Sequence, residues 1–221
     1  MSKANNPMKP SNGARIDDLV ADLAPVRRVR KRTGLLLVAA ATLLAFAVTA
    51  PLFGLRPDLV ALEPAEIVLL RSGTLLLMGA AAALAVTASA SPGVGSRREG
   101  WRWALGAALL FPVTSLALTL GGAPFPVAIL TAGSVPYCLG ISLSSALAIG
   151  GVLTLWLRRG AVTERRRAGW LTGLAAGALG TFVYNLGCPS DSVHYVALWY
   201  GLAVASAAFL GRLAVPRMLR W

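Results

Sequence analysis

An all-α fold, an integral membrane bundle of six transmembrane helices with a short cytoplasmic N-terminal helix, is predicted by three observations. The 221 residues are 56% hydrophobic and 14% charged, with a mean hydropathy of +0.67, whereas an ordinary soluble domain is about 45–50% apolar. The apolar residues gather into six stretches of the roughly 20 residues that a bilayer-spanning helix needs. Nineteen of the 21 Lys and Arg fall on one side of the resulting six-span arrangement, the side that faces the cytoplasm. Residues 1–33 then form a cytoplasmic segment and 34–221 the membrane domain, with both termini cytoplasmic and the lipid bilayer as an obligatory partner.

The first element is residues 14–24, ARIDDLVADLA. Ile16, Leu19, Val20 and Leu23 recur at i, i+3, i+4 and i+7, which makes one apolar stripe on a short helix. Asp17, Asp18 and Asp22 hold the opposite face. A helix lying on anionic lipid carries Lys and Arg on its polar face, so this stripe is expected to meet protein, either a partner or the inner loops of the bundle. Pro25 ends the helix, and the run Arg27–Arg32 pins the start of the first span to the inner interface. That span, 34–54, is too long for a signal-peptide core and is expected to remain as an anchor.

The spans follow in order. Between the first and the second, 66–90, lies a short loop with Arg56; Arg71, about one and a half turns into the second span, is expected to snorkel outward. The third, 103–120, contains Pro112 and the fourth, 134–157, contains Pro136; both prolines are expected to kink their helices. The fifth, 168–187, carries Gly169, Gly173 and Gly177, a small-xxx-small stripe that admits a close neighbour. The sixth is 194–215. Trp101, Trp103, Trp156, Trp170 and Trp221 are expected at the inner interface, and Trp199 alone within a span.

Two cysteines share a depth. Cys138 lies 20 residues before Arg158 and Cys188 lies 20 residues after Ala168, so at ~1.5 Å per residue each is about 30 Å from the cytoplasmic edge. At that outer face they are open to four readings: a structural disulfide, a switchable thiol pair, two ligands of a soft metal, or two inert buried thiols. Cys188, Asp191 and His194 are spaced by threes, so with Cys138 they make a candidate metal set. Asp191 and Ser192 serve equally as caps of the last helix. No resident cofactor is expected beyond a transient metal ion at the cysteine pair.

Other functions fit poorly. The net charge of +12 reflects topology, and no helix-turn-helix or aromatic-interleaved basic motif points to direct nucleic-acid binding. Nor does the chain read as an enzyme. Gly140-Ile141-Ser142-Leu143 lacks the second glycine of an intramembrane serine protease, no CxxC pair supports thiol oxidoreduction, and a single histidine excludes bis-histidine haem. A small six-span transporter or channel is the alternative, although such proteins carry ionisable groups within their spans and only Arg71 does so here.

The motifs together resemble a known family. A DL-x-PV element (Asp22-Leu23-Ala24-Pro25-Val26), an LRPDL element (Leu55 to Leu59), a cysteine opening the fourth span and a CP-x-DS element before a final helix containing Trp199 are similar to those of the NrsF family, membrane-bound negative regulators of sigma F. The resemblance runs from about Arg15 to Trp221. It implies an anti-sigma factor of the bacterial inner membrane that sequesters an extracytoplasmic-function sigma factor and releases it in a stress response. Ile16, Leu19, Leu23, Pro25 and Val26, with Val20 of the same stripe, would contact sigma; Cys138 and Cys188, facing the periplasm, would sense oxidant or metal. Where the family often carries histidines before the CP dipeptide and after the tryptophan, this chain has Gly187 and Tyr200, which weakens any site built on several imidazoles.

Overall fold

A computed structural model describes residues 30–90, 106, 109, 113–122, 126–130, 133–160 and 162–219. Among the described residues every regular element is helical. Helix α1 is Lys31–Phe53, α2 the single turn Pro57–Val60, α3 Glu66–Ser89 and α4 residues 113–120. A 3₁₀ turn at Val127–Leu130 precedes α5, Val135–Leu157, and α6, Arg165–Asn185. The last helix, α7, runs Val193–Met218 and changes winding on the way: Val193–Tyr195 is α, Val196–Tyr200 is π and Gly201–Met218 is α again.

Among the described residues four helices, α1, α3, α5 and α7, are long and apolar enough to cross a bilayer, and they coincide with four of the six expected stretches. The fifth stretch becomes α6, whose glycines, alanines, threonines and opening arginines keep it outside that group. Of the third, the helical residues 113–120 are described. The expected docking helix at 14–24, the basic residues Arg97, Arg98 and Arg102, the tryptophans Trp101, Trp103 and Trp221, and Pro112 lie outside the described residues.

α6 is the hub, packed against α7, α5 and α3 and buried along most of its length. Its small residues explain why. A Cβ added at Gly169 would lie 2.7 Å from the carbonyl oxygen of Gly211, and one at Gly177 would lie 2.8 Å from the Ala207 Cβ. The expected glycine stripe therefore brings the α6 and α7 backbones together, and the gain is dispersion between close-packed chains. On another face, Gly79 of α3 makes room for Leu179, 2.7 Å from where its own Cβ would be.

One expectation is corrected here. Pro136 does not kink α5; it occupies the first turn, where a missing N–H is harmless and a fixed φ starts a helix. Trp156, expected at the inner interface, is 4% exposed, its ring lying where a Gly34 side chain would project, 2.8 Å from the added Cβ. Trp170 remains 40% exposed, with the Arg212 guanidinium 5.6 Å above its ring.

α1 stands apart. Only Gly34, Val38 and Thr42 are buried along it, while Leu36, Leu43, Leu44, Val48 and Leu52 are all more than half exposed. The helices enclose two apolar clusters. One takes in Val38 of α1 and gathers Trp156, Leu157, Leu171 and Val215; the other holds Leu75, Met78, Tyr184, Tyr195, Tyr200 and both cysteines.

Candidate functional site

The second cluster is where the chemistry-bearing residues meet. Cys138 is in the first turn of α5, its amide donating to the Ser134 carbonyl at 2.9 Å. Cys188 follows the end of α6, where the amides of Gly187 and Cys188 donate back to Tyr184 and Asn185. Both thiols are free and fully buried, each 0% exposed. A thiol sealed in apolar surroundings is inert until something opens its pocket.

Three tyrosines surround them. Tyr184 and Tyr195 each meet Tyr200 edge to face, at 6.0 and 6.5 Å between centroids, the geometry that ring quadrupoles favour. Their hydroxyls are engaged: Ser134 Oγ donates to the Tyr195 hydroxyl at 3.1 Å, the Tyr184 hydroxyl donates to the Ser134 carbonyl, and the Tyr200 hydroxyl donates to Asn185 Oδ1 at 3.4 Å. Asn185, itself 0% exposed, donates to Ser72 Oγ at 2.6 Å and so ties α6 to α3. Tyr200 closes the π segment, an irregularity that frequently marks functional sites. Trp199, next to it, donates its indole N–H to the Ile129 carbonyl at 2.9 Å.

A guanidinium clamp lies across the Cys188 loop. Arg56 donates to both oxygens of Asp58, Nε to Oδ1 at 2.9 Å and Nη2 to Oδ2 at 3.0 Å. Its Nη1 donates to the Cys188 carbonyl at 2.8 Å and to Asp191 Oδ1 at 2.9 Å. The planar fork of arginine suits such a bidentate grip. Arg71 is 2% exposed and donates through Nη1 to the Ser190 carbonyl and through Nη2 to that of Cys188 at 3.5 Å. Its guanidinium reaches the 188–190 loop, where backbone carbonyls take the place of water. Two guanidiniums and two carboxylates leave the clamp without net charge.

The loop backbone explains the fit. Gly54, at φ +81°, ends α1 in a conformation that favours glycine, and a Cβ on Gly187 would stand 2.8 Å from the Gly54 carbonyl oxygen. Gly187 thus has no room for a side chain. Hydrogen bonding by Asp58, outweighing desolvation, holds Arg56 above the ordinary arginine range. The same bond lowers the Asp58 carboxyl to about 2. Beside the site, Phe53, Ser134, Tyr137, Gly187 and Pro189 help line a cavity of about 390 Å³, so chain neighbours of both cysteines face it.

The expected sites are sorted accordingly. Cys138 and Cys188 enter one cluster, and Ser192 caps α7 by accepting from the Tyr195 amide. Asp191, expected to cap or to ligate, is taken by Arg56. Among the described residues no three His, Cys, Asp or Glu side chains converge as a metal set, so Cys138, Cys188, Asp191 and His194 are not gathered into one. His194 is buried at the start of α7. Residues 16–26, which include Ile16, Leu19, Val20, Leu23, Pro25 and Val26, lie outside the described residues. Arg56 and Arg71 were missed as site residues, although they are the two basic residues that the charge asymmetry leaves over.

Among the described residues, fold and site define an all-helical protein with four bilayer-length apolar helices and a buried thiol cluster under a charged clamp. The chain belongs to the NrsF family, described as negative regulator of sigma F, whose match covers residues 19–221. Over 157 residues it is 32% identical to the anti-sigma-F factor NrsF of Caulobacter vibrioides (strain NA1000 / CB15N), spanning 66% of this chain and 68% of that protein. Over 61 residues it is 41% identical to the probable anti-sigma-F factor NrsF of Azospira oryzae (strain ATCC BAA-33 / DSM 13638 / PS), spanning 28% of this chain and 29% of that protein. No solved structure matches it.

Proposed function

We propose that this chain is an anti-sigma factor of the bacterial inner membrane, regulatory rather than catalytic. Its partner is a sigma factor of the extracytoplasmic-function type, held by the apolar stripe of residues 16–26. The observation that carries the reading is membership of the NrsF family, supported by relatives named as anti-sigma-F factors. Four bilayer-length apolar helices support the membrane, and the basic excess on one side supports a cytoplasmic N-terminus.

The signal acts at Cys138 and Cys188. Each is wholly buried within a single cluster, so any chemistry there must displace packed side chains. Disulfide formation would remove two protons and two electrons to an oxidant; binding a soft metal ion would displace the thiol protons. Either outcome favours a second arrangement of the bundle, and a change of ~1–3 kcal/mol in sigma affinity, about 5–150-fold, needs only that much differential stabilisation.

The test is affinity capture of the detergent-solubilised full-length protein, beside a Leu19→Asp, Leu23→Asp variant, with mass spectrometry of what each retains from the native cell. A sigma factor held by the wild type and lost in the variant is the expected result. With no cytoplasmic partner in either sample the reading fails, and solute flux in liposomes becomes the next measurement.

A further inference from the structure

We infer that Arg56 is the latch through which the state of Cys188 reaches α1, an inference that rests on the thiol-sensing reading above. α1 follows directly on the docking segment, and beyond Thr42 none of its residues is buried. Phe46, Thr49, Ala50 and Phe53 instead line the 390 Å³ cavity, so packing holds this half of the helix only weakly.

Its far end is fixed by polar contacts with one loop. The Arg56 amide donates to the Leu186 carbonyl at 3.1 Å, and the side chain donates to the Cys188 carbonyl at 2.8 Å and to Asp191 at 2.9 Å. The bond to Cys188 is the informative one, because the atom gripped belongs to the backbone of a sensor residue. A 0% exposed thiol is enclosed by packed side chains, so enlarging it pushes on those neighbours and on its own main chain. The push arrives at the carbonyl that Arg56 holds. Arg56 in turn is two residues past the glycine that ends α1, with bidentate Asp58 keeping its guanidinium in plane. Moving Cys188 therefore moves the end of the least buried of the four bilayer-length helices, whose other end leads into the docking segment.

The test uses the full-length protein in lipid nanodiscs with its captured sigma factor and N-ethylmaleimide as the thiol probe, alkylation of both cysteines being verified by mass. In the wild type, sigma affinity is expected to fall about tenfold on alkylation, within the usual coupling range. In Arg56→Gln the ratio before and after alkylation should be under about twofold. A wild-type ratio in Arg56→Gln overturns the latch. Should Arg56→Gln fail to fold, Arg56→Met keeps the side-chain bulk without any donor, and a wild-type ratio there overturns the latch equally. A fully alkylated wild type that keeps its sigma affinity defeats the thiol reading itself, a result read without any Arg56 variant.

Discussion

Arg71 in the second turn of α3 donates to the main-chain carbonyl of Ser190, 119 residues further along, from a side chain only 2% exposed. A buried cation survives because carbonyl dipoles replace its hydration. Arg71→Ala removes the donor to Ser190 and Cys188 and leaves a void, and it is expected to destabilise the fold by about 2–5 kcal/mol. Thermal unfolding in detergent measures this, with Arg71→Lys recovering part of the loss. An unchanged midpoint for Arg71→Ala would mean that the clamp adds nothing to the fold.

The glycines on α6 and α5 are not equivalent. A Cβ at Gly173 would meet the Ala207 backbone, whereas one at Gly140 would meet nothing within 4 Å. Gly173→Ala should therefore destabilise by about 1–3 kcal/mol through overpacking. Gly140→Ala should be neutral or raise stability by about 0.5–1 kcal/mol, since alanine favours the helix. Equal midpoints for the two variants would contradict the close approach of α6 and α7.

Acid should act on the clamp late. The Asp58 carboxyl lies at about 2 in the fold against 3.8 ordinarily, lowered by the hydrogen bond from Arg56. A depressed carboxyl contributes stability that is fully present above its unfolded value and lost as pH falls through the folded one. Unfolding midpoints should thus be insensitive to this group from about pH 7 to about 5 and fall between about pH 4 and 2. Asp58→Asn should flatten that lower limb, and a limb of unchanged steepness would remove Asp58 as its cause.

Replacing both Cys138 and Cys188 with serine should leave sigma capture within about twofold of wild type while abolishing its response to oxidant, since the coupling and not the docking is removed. Pull-down with and without diamide reads both quantities. Loss of capture in the untreated double variant would make the thiols structural.

Much of the helical layout was legible in the sequence because it rests on local pattern. Apolar runs mark α1, α3, α5 and α7 to within a few residues, and the four-residue spacing of Gly169, Gly173 and Gly177 announces the close contact with α7. The site was harder to see. Arg71 looks like a stray charge because its acceptors are backbone carbonyls, which leave no residue type to recognise. Asp191 fits a capping position, and only Arg56, 135 residues earlier, explains why it does something else. Pro136 was misread for a different reason: a span starting at 134 already places it in the first turn, where proline is harmless and does not kink the helix.

The sequence separation of the latch also sets an order of assembly. Arg56 precedes Asp191 by 135 residues, a gap of about 7–27 s at a synthesis rate of about 5–20 residues per second. During that interval α1 and the residues before it have already been made, while the loop that fixes the end of α1 has not. Under the proposed function, a nascent chain would therefore offer its binding element to the cell before it has acquired the means of letting go.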